Sequence, residues 1–211
     1  MSETSSDPVS AAALAILVKL LTGSNARWVG CEPCPRQRVY FANHTSHLDA
    51  LVLWTALPPA LRALARPVAA RDYWEASALR RHLATRVFNA VLIDRHQPSA
   101  HARNPLEPLL SALDHADRHS LILFPEGTRG VGPDAGPFKS GLYHLARHRP
   151  DVELVPVLID NMNRILPKGE LLPVPLLGGL SFGAPMHVGD GEGKAAFLER
   201  ARQAVNSLRV L

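Results

Sequence analysis

The sequence predicts an α/β domain in which a mostly parallel mixed sheet is covered by helices, with a short apolar helix ahead of it. Three observations carry this prediction. Short apolar runs alternate along the chain with longer segments of helical character. Several of those runs are apolar at every position, which implies burial on both faces and therefore a sheet sandwiched between helical layers. The 211 residues, 46% of them hydrophobic, suffice for one core of ordinary domain size.

The N-terminal segment "DPVSAAALAILVKLLTG" is apolar after a polar start, with Asp7 and Pro8 as a helix start and Gly23 as a stop. It is too short to span a bilayer, which needs roughly 18 to 20 apolar residues, and it lacks the basic leader and small-residue cleavage site of a secretory signal. Two readings stay open: a packing helix, or an interfacial membrane anchor with Lys19, Arg27 and Trp28 near the headgroups. Next comes "CEPCPRQR", whose Cys31 and Cys34 offer too few ligands for zinc and sit among prolines rather than at a helix start, so chance spacing in a loop is favoured over redox or metal use.

Strands are expected at 37–43, 66–70, 90–94, 120–124, 153–159 and 179–183, each a short run rich in Val, Ile, Leu or Phe. Helices are expected at 47–57, 72–88, 105–117, 139–148 and 193–208. The Gly/Pro-rich stretch 129–141 reads as a loop. Twenty-three Lys and Arg against 19 Asp and Glu give a net charge of +4, which favours anionic partners. The arginines are scattered and no aromatics interleave with them, which argues against nucleic acid. A membrane surface or a phosphorylated small molecule fits better.

In such folds function collects where strands end and loops turn into helices. The stretch "FANHTSHLDALVLW" (41–54) lies at such a junction. With His44 in the loop and Asp49 in the first helical turn, the carboxylate can accept a hydrogen bond from one ring nitrogen and leave the other free to take a proton. A rival reading makes Ser46 and Asp49 a capping box, with Asp49 only satisfying backbone donors. His47 has no carboxylate at a useful spacing, and a metal site built from His44, His47 and Asp49 finds no second ligand cluster of the H-E-x-x-H kind elsewhere. A second stretch, "LILFPEGTRG" (121–130), reads as a strand ending in a tight turn. There Gly127 permits close backbone approach to a ligand and Arg129 offers a planar fork for a phosphate; the plainer alternative is a turn with a Glu126 to Arg129 pair.

Taken together, "NHTSHLD" and "FPEGTR" resemble the glycerolipid acyltransferase family, which includes the bacterial 1-acyl-glycerol-3-phosphate (lysophosphatidic acid) acyltransferases. The N-H-x-x-x-x-D motif is matched by Asn43, His44 and Asp49, and F-P-E-G-T-R by residues 124–129. The strand ending in I-D-R is matched by "VLIDR" with Arg95, the V-P-V-like strand by "LVPVLI" with Pro156, and the basic loop by "FKSG" with Lys139.

The resemblance implies a glycerol-phosphate acyltransferase-like fold, with residues 1–24 as the apolar helix and 25–211 as the acyltransferase domain. It implies transfer of a fatty acyl group from acyl-CoA or acyl carrier protein to the free hydroxyl of a lysophospholipid. His44 and Asp49 would be catalytic. Arg95, Glu126, Gly127, Thr128, Arg129 and Lys139 would bind the acceptor. No cofactor or metal is expected, because the thioester is already activated. The expected location is the cytoplasmic face of the cell membrane, peripheral or monotopic. Rival readings are a different acceptor such as glycerol 3-phosphate, a non-catalytic lipid-binding relative, and a lipid-ester hydrolase, the last disfavoured because no G-x-S-x-G elbow is present.

Overall fold

A computed structural model describes residues 8–46, 48–94, 106–130, 132, 134–160 and 178–209. His47, Arg95 and the beginning of the expected 105–117 helix lie outside the described residues. Among those described, one seven-stranded sheet runs in the order β1 (Asn25–Trp28), β7 (Gly179–Phe182), β6 (Glu153–Asp160), β2 (Arg38–Ala42), β5 (Ser120–Leu123), β3 (Ala65–Ala70), β4 (Val91–Ile93). Every neighbouring pair is parallel except β6 with β7, so the sheet is mixed and mostly parallel.

Strand β2 shows why the sheet is central. All five of its residues are buried, and their alternation feeds two different cores: Val39 and Phe41 join one, Tyr40 and Ala42 the other. The first core is closed by α6 (Glu107–Leu113), α7 (Gly141–His148) and α8 (Lys194–Ser207), the last through Phe197, Ala201 and Val205 at four-residue spacing. The second is closed by α1 (Pro8–Thr22) and α2 (Asp49–Ala56), whose Val52, Leu53 and Trp54 are fully covered.

Helix α1 bears out the packing side of its dual expectation. Ala11, Ala15, Val18 and Thr22 form a buried stripe, while Val9, Ile16, Leu17, Leu20 and Leu21 are exposed on the remaining surface. It packs through one face and presents an apolar face outward. No described helix is long and apolar enough to cross a membrane. Trp28 does not serve the outward face: its ring stacks on Phe182 at 4.0 Å, inside β1 and β7. Cys31 and Cys34 are half-buried free thiols, and burial pushes the Cys31 thiol up, away from the reactive thiolate.

The expected helix 72–88 is three shorter pieces, α4 (Arg71–Trp74), α5 (Ala78–His82) and a π-helical turn over Leu83–Val87. Ser77 restarts the chain as a cap, its hydroxyl accepting the Arg80 N–H at 3.3 Å. The final turn widens, with Phe88 N–H bonding the Leu83 carbonyl, and Asn89 ends it at φ 46°. Two elements were not anticipated. Strand β1 is four residues long and half exposed, and α3 (Pro59–Leu64) buries no side chain, so neither carries an apolar signal.

Pro156 sits in the middle of β6, a position that normally excludes proline. The ladder is interrupted there. Val157 pairs with Phe182, and the next contact on that side is Leu154 with Met186, so one extra residue on the partner makes a bulge around the missing N–H. The Pro156 carbonyl still accepts the Gly183 N–H at 2.9 Å.

Candidate active site

The C-terminal ends of the adjacent strands β2 and β5 bring the two singled-out stretches together. Phe41 pairs with Leu123 in the register, so His44 and Phe124 emerge side by side, and their rings stack at 4.5 Å. Asn43 locks the start of the first loop to β6: its Nδ2 donates to the Ile159 carbonyl at 2.9 Å and its Oδ1 accepts the Ile159 N–H at 2.8 Å. A buried side-chain amide thus continues the backbone pairing for one more step.

Asp49 is fully buried. Its Oδ2 accepts three hydrogen bonds, from His44 Nδ1 at 2.9 Å and from the N–H groups of Thr45 at 2.6 Å and Ser46 at 2.8 Å. The capping and orienting readings are therefore one arrangement. The same oxygen that folds the loop onto the helix start also holds the imidazole. Because a carboxylate can only accept, the ring proton lies on Nδ1 and Nε2 is left with its lone pair. The His44 side chain is 20% exposed, enough for a substrate hydroxyl to reach it.

Glu126 ties the second loop to the first. It is buried, and its Oε1 accepts the backbone N–H of His44 at 2.9 Å. The His44 carbonyl in turn accepts the Gly130 N–H at 2.8 Å, closing a reciprocal bridge between the loops. Burial pushes the Glu126 carboxyl up, opposed by hydrogen bonds from the backbones of His44 and Gly136. A Cβ at Gly130 or Gly136 would come within 3.1 Å of its Oε2, so both positions suit glycine. The Glu126 to Arg129 pair considered from sequence is not formed.

Gly127 adopts φ 70°, and a side chain there would also collide with Lys139, whose Nζ would lie 2.6 Å from the new carbon. Lys139 itself is exposed and anchored through its backbone N–H to the Pro125 carbonyl at 2.8 Å. It therefore lies along the 124–130 turn. Arg129 is half-buried and makes no ion pair with any described residue; Thr128 is exposed. Of the I-D-R stretch, Asp94 pairs with Arg71 at 3.1 Å, and β4 stands two strands from β5, about 10 Å across the sheet. Phe124, Gly130 and Gly136 join the site without having been given a role in it; their sequence traces were the first position of the F-P-E-G-T-R match and the Gly/Pro-rich stretch 129–141.

Known proteins resemble this chain in sequence and in fold. The family model described as Acyltransferase matches residues 27–160. A 1-acyl-sn-glycerol-3-phosphate acyltransferase of Limnanthes alba is 30% identical over 171 residues, covering 76% of this chain and 54% of that protein. The 1-acyl-sn-glycerol-3-phosphate acyltransferase alpha of Homo sapiens is 30% identical over 147 residues, covering 68% and 48%. The chain thus spans about half the length of the curated relatives it matches. The crystal structure of the 1-acyl-sn-glycerophosphate (LPA) acyltransferase PlsC from Thermotoga maritima superposes with a TM-score of 0.70 at 20% identity, covering 97% of this chain and 80% of that one, a likeness of fold. Because the family model matches residues 27–160, more than half of the chain and the region that holds both loops, the chain belongs to the Acyltransferase family.

Proposed function

We propose that the protein transfers a fatty acyl group from a thioester, acyl-CoA or acyl carrier protein, to the free hydroxyl of 1-acyl-glycerol 3-phosphate, giving phosphatidic acid. The observation that carries this reading is the 2.9 Å contact of His44 Nδ1 with a buried Asp49, which leaves Nε2 as a base. The acceptor hydroxyl loses its proton to Nε2 as its oxygen attacks the thioester carbonyl. Collapse of the tetrahedral species forms the ester, breaks the C–S bond and returns the proton to the departing thiolate. Asp49 stabilises the imidazolium between those steps. The thioester supplies the activation, so the reaction written this way uses no cofactor.

Arg129 and Lys139, on one loop with Gly127 and Thr128, supply positive charge for the acceptor phosphate, and Arg95 joins them by the motif match. Glu126, with its carboxylate committed to backbone N–H groups, acts by holding this loop against His44. The outward apolar face of α1 and the net charge of +4 support docking on an anionic membrane surface, where acceptor and product reside. The names of the relatives support the lysophosphatidic acid acceptor over glycerol 3-phosphate or another lyso-lipid.

Purified protein assayed on a panel of acceptors, with both kinds of thioester donor, tests the proposal. Phosphatidic acid formation should dominate, and His44→Ala should lower turnover by about 10²- to 10⁴-fold, the usual contribution of a general base. Wild-type turnover in a folded His44→Ala protein would remove the mechanism; activity confined to another acceptor would keep the mechanism and change the substrate.

A further inference from the structure

At the opposite end of β5 from His44, the turn linking α6 to β5 carries the sequence "HADRH", and we propose that His115, Asp117 and His119 bind a divalent transition-metal ion of the zinc class. One ligand atom from each of the three lies within 4.8 Å of the others. His115 Nδ1 is 3.3 Å from Asp117 Oδ2, and His119 Nε2 is 3.9 Å from the same oxygen. Tetrahedral zinc, with bonds of about 2.0 to 2.2 Å to nitrogen and oxygen, places its ligands about 3.3 Å apart. One edge of that figure is already formed, and modest side-chain rotation closes the others. The two imidazoles lie against each other with centroids 4.6 Å apart.

The hydrogen bonding says that the cluster wants a cation. The Asp117 N–H is 3.3 Å from His115 Nδ1, which makes that nitrogen an acceptor and leaves no proton on it to share with the neighbouring carboxylate. Two lone-pair groups therefore converge on one space. A proton could bridge those two, but the third group, His119, is buried with its Nδ1 unpartnered, and its Nε2 faces the Asp117 carboxylate at 3.9 Å, beyond hydrogen-bond distance. A single proton serves two acceptors; a metal ion serves all three. Imidazole and carboxylate together suit Zn²⁺, Ni²⁺ or Cu²⁺ over Mg²⁺ or Ca²⁺.

The backbone holds the ligands in place. Buried Gln37 donates through Nε2 to the Leu113 carbonyl at 2.7 Å and to the His119 carbonyl at 2.9 Å, fixing both ends of the turn to β2. Arg118, between the second and third ligands, takes the left-handed conformation at φ 53° and donates its N–H to the His115 carbonyl.

The test is isothermal titration of the full chain, carrying no polyhistidine extension, with ZnCl₂, together with the visible absorption of bound Co²⁺. One ion per chain is expected. His115→Ala and Asp117→Asn, at side chains 39% and 61% exposed, should keep the fold and each weaken binding by about tenfold or more. Zinc should raise Tm in the wild type and leave the double variant unmoved. The exposed His144 and His148, one helical turn apart on α7, are the internal control, and His144→Ala should bind as the wild type does. No stoichiometric binding, binding that survives in the double variant, or loss confined to His144→Ala would each overturn the site.

Discussion

His44 and Glu126 stand 82 residues apart in the sequence, and the backbone N–H of the first donates to Oε1 of the second at 2.9 Å. Together with the Gly130 N–H on the His44 carbonyl, this bond ties the His44 loop and the 124–130 turn into one unit. Glu126→Gln keeps the size but sets an amide NH₂ against a backbone N–H on one side. Turnover should fall by about tenfold or more on every acceptor, phosphorylated or not, because the loop itself shifts. If Glu126 instead reads the acceptor, the loss will appear in the acceptor KM and vary with headgroup. Stability adds a sign. A carboxyl raised above its ordinary 4.5 by burial contributes fully below 4.5 and loses that contribution as pH rises through the folded value. Urea unfolding at pH 4.5 and pH 8 should show the wild type losing ground to Glu126→Gln at the higher pH.

Asp49 loads three donors on one buried oxygen, so its substitution touches folding and chemistry together. In Asp49→Asn the amide oxygen can still accept from Thr45 and Ser46, but as a neutral group it supports an imidazolium poorly. The expected outcome is a folded protein about 1 to 3 kcal/mol less stable with turnover down by up to about 10⁴-fold. Circular dichroism and thermal melts separate the two effects. A variant with lost stability and full turnover would make Asp49 a cap alone.

Helix α1 should govern membrane attachment through the residues it turns outward. Deleting the helix would strip Ala11, Ala15 and Val18 from the core, so point substitutions are the cleaner probe. Ile16 and Leu20 are 62% and 78% exposed, and Ile16→Asp with Leu20→Asp should leave Tm nearly unchanged. A fully buried residue of this kind contributes about 1.5 to 3 kcal/mol, so even partial insertion implies about a tenfold or greater loss of binding to anionic liposomes. Unchanged flotation with liposomes would assign attachment to another surface.

The sheet was legible because its strands are apolar on both faces: 153–159 and 120–124 announce themselves without context. What escaped lacked that signal. Strand β1 has four residues, and the break of the expected 72–88 helix rests on one hydroxyl at Ser77 and a widened turn, neither visible in periodicity. For the site, residue types and spacing pointed to His44, Asp49 and the 124–129 turn. The partners did not follow from spacing. That Asp49 both caps and orients, that Asn43 pairs with Ile159, and that Glu126 grips the backbone of His44 depend on which strand ends the topology sets side by side.

Arg129 is the residue on which phosphate recognition chiefly rests. It is half-buried beside the Gly127 turn and makes no ion pair with any described residue, so its fork is available to a ligand. Lysine keeps the charge and loses the fork. Arg129→Lys should therefore weaken a bidentate phosphate contact by about 1 to 3 kcal/mol, or about five- to hundredfold in kcat/KM on a phosphorylated acceptor. If the contact is equally strong in ground and transition states the acceptor KM carries the loss; if it positions the hydroxyl for attack, kcat carries it. Thioester hydrolysis by water, which uses His44 and no phosphate, should change far less. Kinetics on a phosphorylated acceptor and on its phosphate-free analogue decide the matter, since an equal loss on both would mean that Arg129 supports the turn and leaves the phosphate to Lys139 and Arg95.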